Sequence, residues 1–217
     1  MKIALIGATG FVGSKVLEEL VSRGHQVTAI ARNPEKVTVK NDLITLKSAN
    51  VLEPSDVSEA VSGNDAVISA FNPGWTNPNI YNDSIQGYKS IQEGVKQSGI
   101  KRLLVVGGAG SLEVAPGVQL IDTPDFPEEY KPGASAARDY LAIIKTEDEL
   151  DWTFLSPAIE MHPGTSGERK GVYRTDLDNP VFNEKGRSII SAEDLAVAIA
   201  DEIEQSNFVK KRFTAAY

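Results

Sequence analysis

The chain has 217 residues, 41% of them hydrophobic, and a formal net charge of −8, a size and composition that fill one globular domain and fall short of two. Its acidity argues against partners such as nucleic acid or an anionic membrane surface, because both would repel it. With no cysteine, disulfides, thiolate catalysis and zinc–thiolate sites are excluded, and no apolar run approaches the length of a membrane span.

Lys2 to Ile6 reads as a buried parallel strand, since the apolar run goes straight into glycines and leaves no face for water. Gly7, Gly10 and Gly13 follow at three-residue spacing. In a strand-to-helix turn such glycines permit a tight bend, a close approach of backbone to a pyrophosphate, and close packing of helix on sheet; the phosphate then sits on the free amides of the helix N-terminus. The helix is legible in Val12, Val16, Leu17, Leu20 and Val21 on one face and Lys15, Glu18, Glu19 and Arg23 on the other, with Gly24 as its stop. Gln26 to Ala31 returns as the second strand, at the spacing of a right-handed crossover. Since residues 1–6 are read as this first strand and not as a signal peptide, a soluble cytoplasmic protein is the simplest expectation.

The spacing G-x-x-G-x-x-G differs from the G-x-G-x-x-G dinucleotide fingerprint. GATGFVG instead resembles the cofactor turn of extended and atypical short-chain dehydrogenase/reductases, which implies a nicotinamide dinucleotide rather than FAD. That resemblance carries cofactor contacts to Gly7, Thr9, Gly10, Phe11, Val12 and Gly13 and, at the ends of the fourth and fifth strands, to Ser69, Ala70 and Gly107. About 20 residues beyond such a turn, an acid binds the ribose hydroxyls of NAD, whereas an arginine accommodates a 2′-phosphate. Here the run is Ala29-Ile30-Ala31-Arg32-Asn33, with Lys36 close behind and no acid before Glu35. The expectation is NADP(H) in preference to NAD(H), with Arg32 on the phosphate; the alternative is an ordinary solvated arginine at a strand end.

Further along, Leu43 to Leu46 reads as a third strand, Pro54 to Val61 as a short helix and Ala66 to Phe71 as a fourth strand after the turn Gly63-Asn64-Asp65. Asn50 follows the third strand where the resembling family usually places an aspartate against the adenine amino group; a plain loop asparagine is the equal alternative. A helix runs from about Ile80 to Gln97, with Tyr81, Ile85, Tyr88, Ile91 and Val95 along a face read as packing, and stops at Ser98-Gly99. Lys101 to Val106 is the fifth strand and Trp152 to Leu155 the sixth. The irregular stretches that leave them, about 107–133 and 157–190, both emerge at the carboxyl edge of the sheet, where ligands of open parallel sheets lie, and are expected to serve in place of a substrate domain. Gly171 to Thr175 and Ser188 to Ile190 read as short strands, Ser191 with Asp194 as the cap of a helix through Ile203, Lys210-Lys211-Arg212 as a solvated turn, and Arg212 to Tyr217 as a final edge strand. The sum is a single α/β domain over residues 1–217, a Rossmann-type doubly wound parallel sheet with helices on both faces.

GATGFVG, Val27 to Arg32, RLLVVGGAGSLEVAPG, DTPDFP and LDWTFLSPA together resemble the small bacterial NADH-flavin reductases, in the atypical short-chain branch that also contains mammalian biliverdin-IXβ/flavin reductase. The usual catalyst of the wider family, Y-x-x-x-K, pairs a tyrosine acid with a lysine one helical turn away. The nearest approach, Tyr140 with Lys145, is one residue too far for the two to stack. Tyr140 is therefore placed on a buried face with Leu141 and Ile144, and the expected chemistry is reduction of an acceptor that needs no strong local acid: a flavin, a quinone or a tetrapyrrole. The resemblance assigns a catalytic role to Ser111 after the fifth strand, and His162 is a second candidate, as a proton donor, against the alternative of a solvated loop histidine. His25 is read as structural. Two other functions fit less closely: a non-catalytic sensor of the NADP(H) ratio, and an NAD-dependent epimerase or dehydratase, which lacks its Y-x-x-x-K. No metal is expected, the partner is a small-molecule acceptor, and the state is a monomer or small homo-oligomer.

Overall fold

Apolar runs with no solvent side need cover on both faces, and the computed structural model, which describes residues 1–217, supplies it with an eight-stranded sheet between two helical layers. The strands are β1 (Lys2–Ile6), β2 (Gln26–Ala31), β3 (Ile44–Ser48), β4 (Ala66–Ser69), β5 (Arg102–Val106), a separate hairpin of β6 (Glu113–Ala115) and β7 (Val118–Gln119), β8 (Asp151–Pro157), β9 (Arg174–Asp176) and β10 (Lys211–Ala216). Their order in the main sheet is β3-β2-β1-β4-β5-β8-β10-β9, all parallel except the β10–β9 pair. In register, Ile6 stands opposite Ile30 on β2 and Ser69 on β4, so the chain leaves these strands along one common edge.

Alternation within β1 divides the core. Ile3 and Leu5 point to α1 (Phe11–Ser22) and α5 (Ala192–Gln205), while Ala4 and Ile6 point to α2 (Pro54–Val61), α3 (Ile80–Gln97) and α4 (Lys131–Ile144). α1 stops where the sequence stops it: Gly24 takes a φ of +81°, its amide donates to the Val21 carbonyl at 3.0 Å, and the His25 amide donates to Leu20 at 3.0 Å. Ser191 Oγ caps α5 by accepting from the Asp194 amide at 3.0 Å, and the helix runs on to Gln205.

The doubly wound pattern, β1, β2, α2 and α3 match the sequence reading; several boundaries do not. The third strand lies at 44–48 instead of 43–46, because an Asn41 side-chain turn takes the Leu43 amide. The fourth ends at Ser69, where Asn72 accepts from the Gly74 amide and turns the chain off the sheet. Residues 107–133 are not without structure: they contain the β6–β7 hairpin and three short 3-10 turns before α4 starts at Lys131. In the second irregular stretch the strand falls at 174–176, and Ser188 to Ile190 supplies only a single bridge from Ile189 to Glu160. β10 is not the edge, since β9 pairs outside it, and Arg212 is buried. Glu19 is buried too, because Arg23 and Arg169 close over its carboxylate. Tyr88 packs in the core as read, but Tyr81 is exposed and its hydroxyl donates to Asp139 Oδ2 at 2.8 Å. No helix is long and apolar enough to cross a membrane.

Candidate active site

The turn between β1 and α1 is shaped by what cannot be fitted into it. Gly7 has a φ of +83°, and a Cβ there would lie 2.6 Å from the Ala70 carbonyl oxygen at the end of β4. A Cβ on Gly13 would lie 2.0 Å from the Gly7 carbonyl oxygen, so the first turn of α1 rests directly on the strand end. Gly10, exposed, is the N-cap, and α1 begins with no side-chain cap and no acidic residue in its first turn. Its first amides therefore face outward with the positive end of the helix and nothing negative before them. Thr9 and Phe11 flank them, exposed, while Val12 is half-buried against the core.

Along the same edge, Arg32 stands exposed just past β2; its carbonyl accepts from Ser48 Oγ at 3.2 Å, and its guanidinium has no partner within the chain. Asn50 is exposed beyond β3, and its side-chain oxygen, the atom an adenine amino group would need, already accepts from the Leu52 amide at 3.2 Å. Ser69 ends β4 with a buried hydroxyl that has no hydrogen-bond partner. Gly107 follows β5 beneath the Phe154 ring, which comes so close that a Cβ would lie 1.9 Å from it. A bare helix start, a turn that only glycine can line and an unpartnered serine hydroxyl, all at one sheet edge, fit a dinucleotide.

Of the two residues proposed for catalysis, Ser111 is buried in the 3-10 turn after β5. Its Oγ accepts from Arg212 Nη1 at 3.1 Å, and its carbonyl accepts from the same nitrogen at 2.8 Å. His162 is exposed and occupied otherwise: its Nδ1 accepts from the Gly164 amide at 3.1 Å and caps the 3-10 turn Pro163–Thr165. No hydrogen bond joins the two. His25 is buried, with Nδ1 3.3 Å from the N-terminal amine and Nε2 2.7 Å from Glu204 Oε1, as its structural reading requires.

Tyr140 is fully buried. Its ring stacks on Tyr88 with centroids 4.7 Å apart, and its hydroxyl donates to Gln92 Oε1 at 3.1 Å. Burial pushes the Tyr140 phenol far above its ordinary range and the Tyr88 phenol up to about 12.

Sequence reasoning missed two features of this region. One is Arg212, which is buried at the head of β10 while Lys210 and Lys211 stay exposed, and which no local pattern marks. The other is an aromatic pair, Trp75 from the segment after β4 and Tyr130 from the end of the segment after β5, packed edge to face at 5.4 Å and both exposed. Gly133 makes room for it, since a Cβ there would lie 2.8 Å from Trp75 Cζ3.

The model of a family described as NAD(P)H-binding matches residues 7–206. An uncharacterized protein of Bacillus subtilis, YwnB, is 41% identical over 216 residues, covering 99% of this chain and 97% of its own length. Among solved structures, a protein of Bacteroides thetaiotaomicron provisionally named an epimerase superposes with a TM-score of 0.92 at 45% identity, covering 100% of this chain and 96% of that one. A protein of Streptococcus pneumoniae provisionally named an NADH-flavin reductase superposes with a TM-score of 0.83 at 38% identity, covering 100% and 99%. With the open glycine turn, the bare start of α1 and the parallel sheet that presents both, these likenesses place the chain in the NAD(P)H-binding family, on the atypical short-chain dehydrogenase/reductase fold.

Proposed function

We propose that the protein is an NADPH-dependent reductase of a flat, conjugated acceptor of the flavin, quinone or tetrapyrrole class. The observation that carries this reading is the engagement of Tyr140: the one tyrosine near the family's acid position is stacked on Tyr88 in the core and spends its hydroxyl hydrogen on Gln92, so it has none to give a substrate. Reactions that protonate a carbonyl oxygen or draw a proton from a sugar hydroxyl are thereby disfavoured, the epimerase reading with them, and an acceptor able to carry its own charge by delocalisation is favoured. When bound, a reduced nicotinamide dinucleotide supplies a hydride.

The chain's own residues then divide the work. The amides at the start of α1 hold the pyrophosphate, and Arg32, free and unopposed by any acid, pairs with a 2′-phosphate. Ser111 offers a hydrogen bond where negative charge collects on the reduced acceptor. Trp75 and Tyr130, an exposed edge-to-face pair from the segments that follow β4 and β5, present apolar ring surface to a planar ligand. His162, with Nδ1 engaged, has only Nε2 to offer as a proton donor from the outer loop.

The test is the loss of reduced-nicotinamide absorbance when the purified protein receives NADPH together with FMN, FAD, a quinone or biliverdin. Turnover with one acceptor class, much slower with NADH, is the expected result. Tight NADPH binding without oxidation by any acceptor would replace the reductase with a sensor of the dinucleotide pool.

A further inference from the structure

Arg212 is a buried cation. Its guanidinium ties together three segments distant in sequence. Nη1 donates to both oxygens of Ser111, Nε donates to Asp178 Oδ1 at 2.9 Å, and Nη2 completes an ion pair with the same carboxylate. The join extends through the neighbouring backbone, where the Glu113 amide donates to the Asp178 carbonyl at 2.8 Å and Asn179 Nδ2 donates to the Glu113 carbonyl at 2.9 Å. Asp178 is 52% exposed and Arg212 only 4%. Water therefore screens the carboxylate side of the guanidinium more than the serine side.

The direction of the Ser111 bond matters most. The serine oxygen accepts from Arg212, so its own hydrogen is left to donate, and no acceptor within the chain takes it. A cation bonded to a hydroxyl oxygen withdraws density from it and strengthens the hydrogen as a donor, the same physical service that a lysine ammonium gives a tyrosine in a Y-x-x-x-K pair.

We propose that Arg212 is a positioning residue that aims and polarises the Ser111 hydroxyl toward the atom of the acceptor on which negative charge gathers. The inference rests on the reading of Ser111 given above. In the step it serves, a carbon–hydrogen bond of the nicotinamide breaks and its electron pair and hydrogen pass to the acceptor. The nicotinamide is oxidised, the acceptor is reduced to an anion, and water later supplies the remaining proton. Ser111 keeps its proton throughout and only donates the hydrogen bond.

The test is a double-mutant cycle of Ser111→Ala and Arg212→Gln, on folded protein checked by circular dichroism. Ser111→Ala is expected to lower kcat about 10²-fold, the scale of a lost donor at a developing anion. Arg212→Gln is expected to lower it about tenfold with the acceptor KM little changed, and to cost nothing further in the Ser111→Ala background. Equal and additive losses would make Arg212 a structural brace and overturn the proposal, as would wild-type turnover of Arg212→Gln beside a slow Ser111→Ala. Wild-type turnover of Ser111→Ala would remove the underlying reading as well, so the two failures are distinguishable.

A second readout needs no dinucleotide. 4-Nitrophenol, an anion-forming mimic of a reduced acceptor, is titrated by its absorbance in the presence of protein. Its apparent pKa is expected to fall on binding to wild type, to return to the solution value with Ser111→Ala, and to return part of the way with Arg212→Gln. No difference between wild type and Arg212→Gln would overturn the proposal. If Arg212→Gln does not fold, Arg212→Lys, which offers one ammonium in place of the fork, enters the same cycle with the same criteria.

Discussion

Gly13 lies within α1 and Gly24 just past its end, and the two answer to different constraints. A Cβ on Gly13 has a backbone oxygen 2.0 Å away, while a Cβ on Gly24 meets nothing within 4 Å and contends only with a φ of +81°. Gly24→Ala should therefore cost about 1 kcal/mol, a left-handed backbone penalty. Gly13→Ala should cost more, about 1–3 kcal/mol from overpacking, and should also weaken dinucleotide binding by moving the start of α1. Thermal unfolding and dinucleotide titration of the two variants check both statements. Arg32 makes the third residue-scale prediction. Arg32→Ala is expected to weaken NADPH binding about 10- to 100-fold, the worth of a charge-assisted pair, and to leave NADH binding near wild type. An unchanged NADPH-to-NADH ratio of dissociation constants would show the arginine to be a bystander. The turn glycines were legible before any fold was known, because glycine spacing is a local property. Arg212 was not, because its burial depends on β9 covering β10 and on Asp178 arriving from a distant loop.

At the scale of elements, α1 and α5 are joined through a charged cluster rather than by apolar contact alone. The Glu19 carboxylate accepts from Arg169 Nε at 2.8 Å and Nη2 at 2.9 Å and from Arg23 Nε at 2.8 Å, and Arg23 reaches across to Asp201 at 2.7 Å and Glu204 at 2.8 Å on α5. The Arg169 guanidinium bonded to Glu19, with Arg23 beside it, holds the carboxyl below its ordinary value of 4.5. A carboxylate depressed in the folded state contributes stability that is present above the unfolded value and is lost as pH falls through the folded one. Glu19→Gln is expected to destabilise the protein by about 1–3 kcal/mol near neutrality and to flatten the loss of stability below about pH 4.5, as measured by urea unfolding at a series of pH values. Helical spacing alone set Glu19 on a wet face. The periodicity that located α1 could not foresee Arg169, which approaches from the irregular 157–190 stretch. For the same reason α2 and α3 were read with their boundaries and β9 was not. A period of 3.6 shows in sequence, whereas a three-residue strand with every residue exposed has no pattern to show.

The whole molecule contains its own reporter. Of its two tryptophans, Trp152 is 3% exposed, with Nε1 donating to the Glu147 carbonyl at 3.2 Å, and Trp75, in the segment after β4, is 57% exposed. Iodide should quench the Trp75 share of the emission and leave the rest. A bound planar acceptor should protect Trp75 from iodide, and Trp75→Phe should abolish that protected fraction and raise the acceptor KM more than that of NADPH. Iodide quenching of Trp75 that a saturating acceptor leaves unchanged would place the acceptor elsewhere.

A parallel sheet built outward from β1 must also end somewhere, and past β10 it ends on an antiparallel strand. Beyond β10, whose residues from Arg212 to Ala216 are all buried, lies β9: three residues, antiparallel, exposed, with Arg174 and Asp176 at its ends. An uncapped β10 would offer other molecules a long apolar ladder of free amides and carbonyls, whereas β9 offers a short rung with a charge at each end. An edge of that kind disfavours the addition of further strands. Replacing both its charges, Arg174→Val with Asp176→Val, should leave the cofactor edge intact and make the protein scatter light on warming at concentrations where the wild type stays clear.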